Sequence, residues 1–152
     1  MSLNSHLPFE QQVLNDLKNK ETSLSVFGQG VPNVPKTVAM FLSTFTSLAV
    51  NHKDSFPDLI FLINFNETEF ACIEHWMTIF SELKEDKRQT ISLTKISQAD
   101  NQNVTKRADL FLKGGAFAIT YKQLVLDLLT KRISPNVISG LIINNAHKIK
   151  PN

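Results

Sequence analysis

The sequence is poor in the residues that cross-link a chain or bind metals. Its single cysteine, Cys72, cannot form a disulfide within the chain, and it leaves no cysteine pair for a zinc finger. Three histidines show no metal-ligand spacing with Cys72 or with paired carboxylates: His6, His52 and His75. We therefore expect no metal site, and we expect Cys72 to be a buried helix residue.

Strong net charge and long apolar runs are also missing. The 16 basic and 14 acidic residues leave a formal charge of +2, which is too small for a general attraction to nucleic acid. Any such contact must come from a local patch. No apolar run reaches the roughly 18 residues of a membrane helix, and the N-terminal part contains no signal-peptide core. We expect a soluble, intracellular single domain, since 152 residues with 42% hydrophobic content suit one core.

Strand and helix periods alternate along the chain. Short apolar runs predict five strands, at 23–27, 58–63, 90–96, 116–120 and 141–144. Helical spacing predicts helices near 9–17, 38–49, 70–83, 103–113 and 124–129, with a helical turn at Ser134 and Pro135. Trp76 falls on a helical stripe that indicates a core position, and Gly114 with Gly115 suits a left-handed helix end. The alternation predicts an α/β fold, with a mostly parallel sheet and helices on both faces.

Ligands of such sheets bind beyond the carboxyl ends of the strands, so the residues that follow each strand carry the information. After the first predicted strand the chain reads Gly30-Val-Pro-Asn-Val-Pro35-Lys36-Thr37. This matches the phosphate loop Gly-x-x-x-x-Gly-Lys-Ser/Thr except at the second glycine. Pro35 has no N–H group and a fixed φ, so the backbone cradle for phosphate loses a donor. We interpret the segment as a degenerate nucleotide-binding loop; the alternative is that Lys36 and Thr37 simply begin a helix.

The last predicted strand ends in Asn144-Asn145-Ala146-His147, where a superfamily 2 helicase carries Asp-Glu-Ala-His. In such a box the aspartate orients Mg²⁺ and the glutamate activates the attacking water, and both roles require carboxylates. Asn144 and Asn145 are amides and perform neither role. We therefore expect no catalytic residue and no cofactor in this segment, and we interpret His147 as a structural, hydrogen-bonded histidine.

Residues 114–149, from Gly114-Gly-Ala-Phe-Ala-Ile-Thr120 through Ser134-Pro-Asn-Val-Ile138 to His147, closely resemble the N-terminal region of XPF-family proteins. The resemblance extends more loosely from Leu7 to Ile149. It implies a RecA-like three-layer sandwich, the first helicase-like domain of that family, already without ATPase activity. We expect residues 1–152 to form this one domain in truncated form.

The same resemblance implies the setting of the parent enzyme. XPF-family proteins are nuclear, structure-specific endonucleases that cut beside bubbles and flaps in nucleotide excision repair and crosslink repair. Their partners are branched or bubble DNA, an obligate partner subunit held by other domains, and a repair scaffold protein. The acidic nuclease cluster around Glu-Arg-Lys is absent from this chain, so the cutting site is expected elsewhere.

Active DNA translocases related to this family carry Thr-Pro-Gln where this chain has Thr120-Tyr121-Lys122. A threonine hydroxyl and a lysine suit contact with a DNA phosphate, so we predict a local basic DNA-binding patch. Its candidates are Thr120, Lys122, Lys131 and Arg132. The simpler alternatives are that Thr120 caps the following helix and that the two later basic residues favour a helix C-terminus.

Three functions remain open from the sequence. The favoured one is a binding module, an inert lobe that helps to position a nuclease on DNA and docks scaffold proteins. The second is an enzyme, a divergent ATP-dependent helicase or translocase that tolerates Pro35 and both asparagines. The third is an element that only stabilises its neighbours.

Overall fold

The long apolar run at 58–63 forms the middle of a sheet in the computed structural model, which describes residues 7–19, 22–26, 33–49, 57–83, 91–96 and 104–149. This strand is β1 (Leu59–Ile63), and all five of its residues are buried. Strand β2 (Leu93–Lys95) lies at one edge and pairs with β3 (Gly115–Ile119). β1 pairs with β3 on one side and with β4 (Gly140–Ile143) on the other. The described strands run in the order β2-β3-β1-β4 and are all parallel.

Helices precede or connect these strands, and their bounds confirm the predicted helical segments. They are α1 (Pro8–Lys18), α2 (Val34–Ala49), α3 (Glu67–Leu83), α4 (Val104–Leu112) and α5 (Tyr121–Leu129). The predicted turn at Ser134 is a short 3-10 helix, Pro135–Val137, capped by the Ser134 hydroxyl. None of the helices in the described ranges is both long enough and apolar enough to cross a membrane.

Alternate residues of β1 supply two separate cores, because successive side chains of a strand point to opposite faces. Ile60 and Leu62 pack with buried residues of α2 and α3. Leu59, Phe61 and Ile63 pack on the other face with buried residues of α4 and α5. The predicted α/β class with helices on both faces of a parallel sheet is thus confirmed, and the arrangement is that of a RecA-like three-layer sandwich.

The turn from α4 into β3 depends on two glycines. Gly114 and Gly115 have φ values of +72° and +131°, as the sequence predicted for a left-handed helix end. A Cβ atom on Gly114 would lie 2.6 Å from the Cβ of Pro57, and one on Gly115 would lie 2.5 Å from the hydroxyl of Ser92. Because glycine has no side chain, the backbone can approach this closely. The Gly115 N–H donates to the carbonyl of Asp58 at 2.7 Å.

Two predictions about local structure are wrong. Residues 23–26 form no strand, and Leu24 and Val26 are 84% and 86% exposed; the final residue of the predicted strand lies outside the described ranges. Both hydrogen-bonding sides of β1 are already taken by β3 and β4, so this short run has no place beside the central strand. Cys72 is exposed rather than buried, because it lies one residue, or about 100°, from the inward-facing Ile73 on α3. Trp76, by contrast, packs against the core between α2 and α3, as predicted.

A buried ion pair joins α4 to α5. The guanidinium of Arg107 donates twice to Asp127, with Nε to Oδ2 at 2.9 Å and Nη2 to Oδ1 at 2.7 Å. Both side chains are almost fully buried. Gln123 and Arg132 also donate to Oδ1 of Asp127, at 3.1 and 3.3 Å. Asp127 is therefore held by three side chains, and it fixes the distance between the two helices on this face.

Removing the carboxylate of Asp127 should therefore destabilise the domain strongly. We expect Asp127→Ala to lower the free energy of unfolding by about 3–5 kcal/mol, the usual cost of leaving one partner of a buried ion pair behind. Urea denaturation followed by circular dichroism measures it. Asp109→Ala removes an exposed carboxylate from α4 and is the matched control, for which we expect a change within about 0.5 kcal/mol. A loss at Asp127 no larger than this control would contradict the role assigned to the pair.

Candidate functional site at the carboxyl edge of the sheet

Polar residues follow three neighbouring strands at the edge where ligands bind in parallel sheets. Ile63, Ile119 and Ile143 are paired in register at the ends of β1, β3 and β4. The residues that follow them, Asn64, Thr120 and Asn144, are therefore neighbours, and Asn64 lies in the middle. Its side-chain amide donates to the carbonyl of Asn144 at 2.8 Å, and its φ of +64° is one that asparagine tolerates better than most residues.

Asn144, the first residue of the degenerate box, is hydrogen-bonded to a carboxylate. Its Nδ2 donates to Oε1 of Glu69 at 3.0 Å. The other oxygen of Glu69, Oε2, accepts the backbone N–H of Asn66 at 2.9 Å, and Asn66 in turn accepts the N–H of Glu69 at 2.8 Å. This reciprocal pair is a capping box at the start of α3. This contact needs a hydrogen-bond donor at position 144, which an amide supplies and an ionised carboxylate does not.

The rest of the degenerate box turns away from the sheet. Asn145 has φ +47° and precedes the 3-10 turn Ala146–Lys148. Ala146 and His147 are exposed. The interpretation of His147 as a hydrogen-bonded structural histidine stays a prediction. No cluster of three or more His, Cys, Asp or Glu side chains suited to a metal occurs within the described ranges.

The degenerate phosphate loop ends in the first turn of α2. Gly30 lies outside the described residues, whereas Pro35, Lys36 and Thr37 follow the helix start at Val34. The side chain of Asn33 accepts the N–H of Lys36 at 3.2 Å, and its carbonyl accepts the N–H of Thr37 at 3.0 Å. Because Pro35 has no N–H, the donors of positions 35–37 are either absent or already used within the chain.

The side chains of the loop are also engaged. The ammonium of Lys36 donates to both carboxylate oxygens of Glu10 on α1, at 2.9 and 3.0 Å. It also lies 5.3 Å from the centre of the Trp76 ring, within the range of a cation–π contact. Thr37 is buried, and its hydroxyl donates to the Asn33 carbonyl at 3.3 Å. The two groups that would hold phosphate and magnesium in a working loop thus serve contacts inside the protein.

The four DNA-binding candidates lie as two pairs at opposite ends of α5. Thr120 and Lys122 lie at the start of α5, where the Thr120 hydroxyl accepts the N–H of Gln123 at 3.3 Å and so caps the helix. Lys131 and Arg132 lie just beyond its other end. The nine residues of α5 separate the two pairs by about 13 Å, at 1.5 Å per residue. Lys122 and Lys131 are exposed, whereas Arg132 bonds to the buried Asp127.

Sequence reasoning did not identify Glu10, Glu69 or Asn33 as members of these arrangements. The capping box of Asn66 and Glu69 has a local pattern, an asparagine three residues before a glutamate, that was available in the sequence. The contact between Glu10 and Lys36 joins residues 26 positions apart, and no local pattern indicates it.

Three curated relatives match nearly the whole chain. DNA repair protein rad16 of Schizosaccharomyces pombe is 32% identical over 151 residues, which make up 98% of this chain and 15% of that protein. DNA repair protein RAD1 of Saccharomyces cerevisiae is 25% identical over 160 residues, covering 96% of this chain and 14% of that protein. DNA repair endonuclease XPF of Dictyostelium discoideum is 24% identical over 143 residues, covering 94% and 14%.

No family model and no solved structure matches the chain. The chain spans about one seventh of the length of each curated relative, so the similarity concerns one region of much longer proteins. That region is matched almost from end to end, and all three relatives are DNA repair proteins by name. The chain is therefore similar, over nearly its whole length, to one region of DNA repair proteins of the XPF/Rad1 family.

Proposed function

We propose that the chain is a helicase-like domain that neither binds nor hydrolyses ATP, and that it contributes contacts to DNA and to scaffold proteins within an XPF-type repair endonuclease. The observation that supports inertness best is the hydrogen bond from Asn144 to Glu69. It occupies the point where a working helicase box would present a carboxylate to magnesium. The amide is a neutral donor there, and it is already committed to a neighbouring side chain.

The degenerate loop supports the same proposal. Phosphate binding at a helix N-terminus depends on free backbone N–H groups and on an available lysine. Positions 35–37 contribute no free N–H group, and Lys36 is neutralised by Glu10. A nucleotide would have to break a partly buried ion pair before it could bind, without the backbone donors that normally compensate. ATP binding is therefore unfavourable at both halves of the site.

The proposed DNA contact rests on Lys122, with Lys131 as a second point. Lys122 is exposed in the first turn of α5, at the carboxyl edge of the sheet. Lys131 is exposed beyond the other end of the same helix and is the second point of contact that we propose. Arg132 contributes less, because its guanidinium is shared with Asp127. Thr120 is retained as a candidate only through its place beside Lys122, since its hydroxyl caps the helix.

The wider setting is also part of the proposal. The parent protein would act in the nucleus on bubble or branched DNA during nucleotide excision and crosslink repair. Its cutting site and its obligate partner subunit would be carried by other domains. This domain would add affinity and orientation, and a repair scaffold protein would dock on it.

A carboxylate placed at position 144 should destabilise the protein in a pH-dependent way. In Asn144→Asp the hydrogen bond to Glu69 is lost and two carboxylates face each other. We expect this to lower the free energy of unfolding by about 1–3 kcal/mol at pH 7. Repulsion raises the pKa of the new carboxyl group in the folded state. The penalty is therefore present at neutral pH and disappears as the pH falls from that raised pKa to about 3.9, the value in the unfolded chain.

Chemical denaturation at several pH values measures this effect. Asn145→Asp is the matched control, since it makes the same change one residue later, at a left-handed position that aspartate also tolerates. A pH-independent loss, or equal losses in both variants, would show that Glu69 does not hold position 144.

The DNA contact is tested with Lys122→Ala/Lys131→Ala, which leaves the buried pair of Asp127 intact. We expect the slope of log affinity against log salt to fall by about two, with weaker binding to every DNA structure that the chain binds, because each lysine neutralises one phosphate. Fluorescence anisotropy with bubble and flap DNA at several salt concentrations measures both quantities. Lys18→Ala/Lys106→Ala removes the same charge from exposed positions on α1 and α4 and serves as the control. Equal affinities for the two double variants would favour a purely stabilising element over a DNA-binding module.

A further inference from the structure

The ion pair between Glu10 and Lys36 is unusual in its burial. Glu10 is 4% exposed although the other residues of its helix, α1, are exposed or half-buried, and the side chain of Lys36 is 17% exposed. Both oxygens of the carboxylate face the same ammonium. The face of Trp76 lies on the ammonium as well, so the cation is enclosed by an anion and an aromatic ring.

Stability alone is a weak explanation for this pair. Taking two opposite charges out of water usually costs about as much as their attraction returns, and apolar residues of similar size stabilise such a position equally well. Glu10 could cap α1 without Lys36, since its Oε2 also accepts the N–H of Leu7 at 3.1 Å. The contact with Lys36 therefore calls for a reason of its own.

The surroundings of Lys36 supply that reason. A lysine in the first turn of a helix combines its own charge with the positive end of the helix dipole, which makes the point attractive to anions. In a working phosphate loop the anion is a phosphate of the nucleotide. Here the carboxylate of Glu10 has the same charge sign and binds the same ammonium with two oxygens.

We propose that Glu10 is the resident anion of the degenerate phosphate loop. Its carboxylate holds the place at Lys36 that a phosphate group takes in a working loop, and it excludes free phosphate from that place. This inference rests on the proposed loss of nucleotide binding and adds a residue that enforces it. It also gives α1 a role, because this helix positions the Glu10 carboxylate beside Lys36.

The test removes the charge of Glu10 and leaves its size. Glu10→Gln keeps an oxygen for the Leu7 N–H but no longer neutralises Lys36. Inorganic phosphate is then exchanged for chloride at constant ionic strength, and the Tm is followed by circular dichroism. Because phosphate salts stabilise most proteins slightly, the wild-type chain in the same buffers sets the baseline.

We expect the Tm of Glu10→Gln to fall in chloride and to rise in phosphate by about 2–4 °C more than that of the wild type, since an anion that binds only the folded state stabilises it. Glu10→Gln/Lys36→Met lacks both charges and should lose this additional rise. If Glu10→Gln fails to fold in chloride, Glu10→Asp replaces it, because the shorter side chain draws the carboxylate away from Lys36 and should give a smaller rise of the same kind.

A phosphate response no larger than that of the wild type, or one that survives Lys36→Met, would overturn the inference. Binding of Mg-ATP by the wild-type chain would instead contradict the proposed inertness. Failure of the inference would therefore appear as the phosphate response of the Glu10 and Lys36 variants. Failure of the proposed inertness would appear as Mg-ATP binding by the wild-type chain.

Discussion

The burial of β1 on both faces is the constraint on which the rest of the structure depends. A strand of five apolar residues, covered by helices above and below, must pair on both sides to satisfy its backbone groups. Its two partners are parallel, so all three strands end at one edge. That edge brings Asn64, Thr120 and Asn144 side by side, although they are far apart in the sequence. The site is thus a consequence of how the centre of the sheet is buried.

The polar groups of the two degenerate motifs bond to other groups of the chain. Asn144 donates to Glu69, Lys36 is paired with Glu10, and the N–H groups at the start of α2 are used by Asn33. Asn144, one of the replacements in the degenerate motifs, has an internal partner of matching chemistry in Glu69. Proline needs no hydrogen bond acceptor, and an amide donates where a carboxylate would repel. We propose that these contacts stabilise the fold in the absence of a nucleotide.

The sequence predicted the elements well where periodicity is set by burial. β1 and β3 are continuous apolar runs because both of their faces are covered. α2 and α3 carry apolar stripes because one face of each helix packs against the core. Two glycines marked the turn into β3 because no side chain fits there. The strand predicted at 23–27 was wrong, since an alternating apolar run does not reveal whether a neighbouring strand is free to pair with it. The exposure of Cys72 was missed because neighbouring positions on a helix face different directions.

Of the site, the degenerate motifs could be recognised from local spacing, but their partners could not. Glu10 and Glu69 come from other parts of the chain, and their roles depend on distances that only the fold sets. Likewise, the four basic-patch candidates are close enough in sequence to suggest one patch, yet α5 holds them apart as two pairs. Arg132 proved to be tied to Asp127, a contact across five residues that charge counting does not indicate.

Isothermal titration of the purified wild-type chain with ATP and magnesium tests whether internal partners have replaced the nucleotide, as we propose. We expect no heat of binding beyond dilution at millimolar ATP, because Lys36 is paired with Glu10 and position 144 offers no carboxylate to the metal. Saturable, magnesium-dependent binding with micromolar affinity would contradict it.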